Sequence, residues 1–104
     1  MKRFILYAEV IPEKREEYIT LHKNAWSEIY DIIAECNFHN YSISIRGNSL
    51  YTYYEYTGVD YDADKAKMDN HPVMKKWHTY TKPCFVRDAE GKAYQDMEEI
   101  FYSE

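Results

Sequence analysis

Hydrophobic and polar residues alternate along the first ten positions. Phe4, Leu6, Ala8 and Val10 fall on one side, and Arg3, Ile5, Tyr7 and Glu9 on the other. A period of two predicts a strand with one face against a core. From Pro12 the period lengthens: Tyr18, Leu21, His22, Ala25, Trp26, Ile29, Ile32 and Ile33 recur at helical spacing. Proline suits a first helical turn, and Glu13, Glu16 and Glu17 complement the positive end of the helix dipole. Asn24 is a candidate cap for a second helix, which would divide this stretch in two. Residues 37–46 and 49–57 are β-rich runs separated by Gly47-Asn48, a hairpin signal. Residues 59–72 read as a polar helix capped at Asp60 or Asp62, and Pro72 opens a shorter helix through Tyr80. Residues 82–95 read as loop, with a turn over residues 88–91. In the tail, Met97, Glu99 and Phe101 alternate against Glu98, Ile100 and Tyr102, which predicts a last strand.

The order strand, helix, strand, strand, helix, strand is the βαββαβ split unit of ferredoxin-like α+β domains. That unit is an antiparallel sheet with helices on one face. A single domain over residues 1–104 fits the length. The uncovered sheet face would be closed by the sheet of a second copy, giving a homodimer of the α/β-barrel type, or curled over a ligand. Either outcome leads us to expect a site on that open face.

Composition narrows the function classes. The 13 basic and 18 acidic residues give a formal net charge of −5. That balance disfavours nucleic acid and anionic membrane as partners, because both demand clustered cations. The apolar run at the N-terminus is too brief for a signal segment or a membrane span. Cys36 and Cys84 are the only cysteines and have no CxxC spacing. Reduced thiols and a cytoplasmic location follow as expectations. Aromatic residues are abundant at 17%, with twelve tyrosines; an apolar ring with a polar tip suits half-wet cores and sugar rings alike.

Tyr18, His22 and Trp26 follow at spacing four and would share one side of a continuous helix. His22 is a side chain whose unperturbed pKa lies near neutrality, set amid aromatic neighbours as a proton-transfer group would be. Read alone, a histidine on an apolar stripe is more often a packed rim residue. Tyr41 could aim its hydroxyl into a pocket or pair across the sheet. Trp77 could stack on a sugar face, although a lone tryptophan is usually core. No nucleotide-binding glycine pattern, G-x-S-x-G or H-E-x-x-H is present, and the four histidines have no zinc-like spacing.

Several elements then coincide. EEY-x-x-x-H-x-x-x-W-x-E spans Glu16 to Glu28, HNYSI spans His39 to Ile43, a tryptophan stands at 77, and EEIFY closes the chain at Glu98 to Tyr102. In order, spacing and length the chain resembles the L-rhamnose mutarotases. The resemblance implies a small dimeric ferredoxin-like protein that interconverts the anomers of a free 6-deoxyhexose without metal or cofactor. It implies His22 as catalytic acid/base, with Tyr18, Tyr41 and Trp77 contacting the sugar. The family carries two adjacent tryptophans on the late helix. Here Lys76 occupies the first position, a departure that bears on the pocket and on the sugar accepted. The alternatives carried forward are a mutarotase for another sugar such as L-fucose, a non-catalytic ligand-binding domain of the same architecture, and a cofactor-free oxygenase.

Overall fold

The computed structural model describes residues 1–104. Strand β1 (Lys2–Glu9) leads through a 3₁₀ turn (Pro12–Lys14) into helices α1 (Arg15–Lys23) and α2 (Ser27–Glu35). The hairpin β2 (Phe38–Arg46) and β3 (Ser49–Tyr56) follows, then α3 (Tyr61–Asp69), α4 (Pro72–Thr81) and a two-residue strand β4 (Gln95–Asp96). The strands lie in the order β2-β3-β1-β4, with every pairing antiparallel. This is the ferredoxin-like α+β topology that the element order predicts.

Period two sorts the sheet into two faces. Ala8 and Val10 at the end of β1, and Leu50, Thr52, Tyr54 and Tyr56 on β3, are buried beneath the helices. Their alternates Ile5 and Tyr51 are each 43% exposed on the opposite face. The hairpin turns at Gly47, whose φ of +59° occupies the first central position, where a type II′ turn favours glycine.

The helices begin and end where local chemistry directs. Asp60 caps α3 by accepting the backbone N–H of Ala63, and His71 caps α4 through Nδ1, which accepts from Val73 N–H. Helix α2 ends as Asn37 takes a left-handed φ of +68°, the conformation a helix C-terminus commonly adopts. Asn37 also donates to Asp64, which accepts the Tyr56 hydroxyl at 2.5 Å. This knot ties the start of β2 and the end of β3 to α3.

Three expectations change. The break between the first two helices falls at residues 24–26, but Asn24 ends α1 rather than starting α2; its side chain donates back to the Thr20 carbonyl. Trp26, in extended backbone, precedes α2, so Tyr18, His22 and Trp26 do not share one continuous helix. The last strand is residues 95–96, not the alternating tail. Beyond Met97, whose N–H bonds the Ile5 carbonyl, the tail makes no ladder and holds to the sheet by side chains. Glu99 pairs with Arg3 at 2.8 Å, and the Arg3 guanidinium lies 3.3 Å from the Tyr102 ring centre. Alternation alone makes no strand when no neighbouring backbone satisfies the ladder.

One irregularity shapes the interior. Between His39 and Ser42 the β2–β3 register slips by one residue, and Asn40 takes a φ of +50°. A bulge reverses the alternation along a strand. Here it lets Phe38 and the series Tyr41, Ile43, Ile45 share the helix-covered face.

The buried residues form two clusters rather than one. The first centres on Phe38, Tyr54, Ile32 and Trp77, and the second on Val10, Tyr18, Leu50 and Phe85. Between them the core opens into a cleft.

Candidate functional site

The cleft has a volume of about 1550 Å³ and lies between the helices and the covered face of the sheet. The expectation of a site on the open face is therefore corrected. This gap between helices and sheet, not the outer face, is the concave surface. Tyr18, His22, Tyr41 and Trp77 all line it.

Tyr18 and His22 are one turn apart on α1. The His22 ring packs on Tyr18 with centroids 4.2 Å apart and meets Trp77 edge-on at 5.2 Å. His22 Nδ1 lies 2.9 Å from the Tyr18 carbonyl oxygen. A carbonyl only accepts, so Nδ1 carries the hydrogen and Nε2 carries the lone pair. No protein group bonds Nε2, and no buried polar side-chain atom lacks a partner, so Nε2 is an accessible atom of a residue that lines the cleft. Burial lowers the His22 pKa below its ordinary value, only partly opposed by the Tyr18 bond. That shift favours the neutral form of the ring.

Tyr41 reaches the cleft because of the bulge. Its ring stacks on Tyr54 at 5.1 Å and 9°, and Tyr54 stacks on Phe4, its partner across β1, also at 5.1 Å. Three rings thus form a row across three strands. The Tyr18 and Tyr41 hydroxyls bond no protein group; Tyr18 is buried and Tyr41 is 38% exposed, and desolvation raises both pKa values well above 10. They are neutral phenols with hydrogen bonds still to make.

Trp77 is 6% exposed and belongs mostly to the core, presenting only part of its ring. Lys76 lies outside the cleft and exposed, with its ammonium 5.8 Å from the Trp26 ring centre. The departure at this position therefore leaves the cleft wall of this chain untouched.

The structure adds residues that periodicity did not indicate. Tyr54 forms the floor, and its hydroxyl hydrogen-bonds that of Tyr61 at 2.7 Å. Tyr94 enters from the segment before β4. His78 lines the cleft nearer the Lys65–Asp69 ion pair, and burial, then Lys82, lowers its pKa. Tyr94 stands in a stretch without periodicity, and only its residue type hinted at a role. Nowhere do three His, Cys, Asp or Glu side chains converge as metal ligands would.

Comparison with known proteins gives the family and the fold. The chain is 28% identical to an L-rhamnose mutarotase of Oceanobacillus iheyensis over 98% of both chains, and 22% identical to one of Brucella anthropi over 97% of this chain and 95% of that one. Among solved structures it superposes on L-rhamnose mutarotase from Formosa agariphila with a TM-score of 0.78, 20% identity and full coverage of both chains. It superposes on tetracenomycin F2 cyclase from Streptomyces glaucescens with a TM-score of 0.67 at 12% identity, covering all of this chain and 97% of the other. These structural likenesses establish the shared fold. The sequence profile of L-rhamnose mutarotase matches residues 3–103, nearly the whole length, and the chain belongs to the L-rhamnose mutarotase family.

Proposed function

We propose that this chain is an isomerase that interconverts the α and β anomers of L-rhamnose, with His22 as its acid/base. The observation that carries the reading is the His22 tautomer: Nδ1 is committed to the Tyr18 carbonyl, which leaves Nε2 basic and without a protein partner on a residue that lines the cleft.

Nε2 takes the proton of the anomeric hydroxyl, and the electron pair left on that oxygen forms the C1 carbonyl. The bond from C1 to the ring oxygen breaks, its pair goes to the ring oxygen, and the imidazolium returns the proton there. Both oxygens are attached to C1, so one imidazole serves both in turn. Rotation about C1–C2 and reclosure give the other anomer. A near-neutral acid/base suits this cycle. Tyr18 and Tyr41, held neutral by burial, hydrogen-bond the sugar rather than carry charge. Trp77 and the Tyr41–Tyr54 stack supply apolar walls for the ring C–H groups and the 6-methyl group.

The protein works as a single unit over residues 1–104, in the cytoplasm, where Cys36 and Cys84 stay unpaired. No helix is long and apolar enough to cross a membrane. A homodimer closing the open sheet face is supported by Ile5, Tyr51 and Met97, which stand 43–49% exposed there; sedimentation equilibrium tests it.

The deciding experiment follows anomer exchange by magnetisation-transfer NMR over free aldoses, L-fucose included. L-rhamnose exchange should accelerate most. Acceleration of no sugar would sink the enzyme reading, and a preference for L-fucose would reassign the substrate.

A further inference from the structure

We propose that Tyr94 is a further substrate-contacting residue, its phenol hydroxyl hydrogen-bonding a hydroxyl of the bound sugar. The assignment rests on the mutarotase reading of the cleft and extends it to a residue on the far side of the sheet from the bulge.

The placement of Tyr94 follows from β4. Leu6 pairs with Asp96 and Tyr7 with Gln95. Side chains alternate along a strand, so Gln95 follows Tyr7 to the open face while Tyr94 and Asp96 share the side of Leu6. All three line the cleft. Two hydrogen bonds from the backbone N–H groups of Glu90 and Lys92 to the Asp88 carboxylate fix the turn that delivers this segment.

Ring packing fixes the orientation. The Tyr94 ring lies 5.0 Å from Phe85, Phe85 meets Tyr18 edge-on at 5.5 Å, and Tyr18 packs on His22. Tyr94 is thus joined to the proposed base by a continuous line of aromatic contacts. Its hydroxyl bonds no protein group and is not sealed from solvent. Burial raises the pKa of Tyr18, Tyr41 and Tyr94 alike, so each stays a neutral phenol able both to donate and to accept. Three neutral phenols without protein partners thus surround one cavity. A polyhydroxylated ligand satisfies all three at once; an apolar one would leave them unpaired, at a cost in affinity.

The test is Tyr94→Phe in the full-length chain, which removes the oxygen and keeps the ring against Phe85. L-rhamnose affinity by calorimetry and anomer exchange by NMR are measured together. Affinity should fall about threefold to tenfold, the worth of one neutral hydrogen bond. KM should rise to match while kcat holds, the pattern for an interaction made equally in ground and transition states. Across L-rhamnose analogues that each lack one hydroxyl, the penalty should vanish for a single analogue. Unchanged affinity, or the same penalty with every analogue, would overturn the assignment. A wild-type protein that neither bound nor accelerated any sugar would overturn the mutarotase reading and this assignment with it. An active wild type beside an unaltered Tyr94→Phe variant would overturn this assignment alone.

Discussion

Replacing His22 by glutamine tests the chemistry most directly. Glutamine preserves polarity and approximate length but cannot exchange a proton near neutral pH. In the native ring Nδ1 is tied to the Tyr18 carbonyl, so Nε2 is the one nitrogen able to move a proton, and the variant removes the whole function. A positioned acid/base contributes a factor of about 10²–10⁴. At ~1.36 kcal/mol per tenfold change, that corresponds to roughly 2.7–5.4 kcal/mol of barrier. The loss should appear in kcat, because the phenols that hold the sugar remain. Polarimetry after dissolving crystalline α-L-rhamnose, or NMR exchange at equilibrium, gives the rate. The wild-type pH profile provides a second reading. Protonated His22 cannot act as the base, so activity falls as pH drops through its pKa. Burial places that pKa below the ordinary value of about 6.5, so the acid limb should lie below that pH. A His22→Gln variant within tenfold of wild type, or an acid limb centred above pH 6.5, would refute the assignment.

Asn40→Val should strain the left-handed position at a cost of about 1–2 kcal/mol and turn Tyr41 away from the cleft. A lower melting temperature and a higher KM are expected together, whereas Asn40→Gly should retain KM. Gly58→Ala would place a methyl group 2.5 Å from an Asp64 carboxylate oxygen and 2.6 Å from Tyr56 Cζ, against the knot that joins β3 to α3. Such overpacking costs about 1–3 kcal/mol, at about 4–8 °C of melting temperature per kcal/mol. Thermal unfolding monitored by circular dichroism checks it, and an unchanged midpoint would contradict the packing described. Lys76→Ala should leave KM for L-rhamnose unchanged; a large rise would mean that position 76 shapes the cleft after all.

What the sequence made legible depended on how local each signal was. The faces of β1 and β3 could be read because a two-faced strand writes its burial at every second residue. The cap at Asp60 and the helix start at Pro72 were local chemistry, whereas the His71 cap emerged only from the structure. The C-terminal alternation misled because a ladder needs a neighbouring strand, and that neighbour is a tertiary fact. The bulge left a trace: Phe38 and the series Tyr41, Ile43, Ile45 cannot share a face in a regular strand. Asn40 alone gives no period to reveal it. Tyr18 and His22 were visible as a stripe, but their meaning depended on which side of the sheet the cleft opened. Tyr94 stood in a loop, where burial follows from the path of the chain and not from any repeat.

The bond from His22 to the Tyr18 carbonyl stays within one helical turn. The base therefore takes its protonation pattern from its own helix, with no distant carboxylate needed to hold it. The other walls of the cleft come from separate elements: Tyr41 from β2, Trp77 from α4 and Tyr94 from the segment before β4. In the proposed mechanism the proton-transfer residue and one sugar contact, Tyr18, share α1, and the remaining contacts come from separate stretches of the chain. In that mechanism, substitutions in β2, α4 or the segment before β4 reshape the sugar-binding wall and leave the His22–Tyr18 turn as it is.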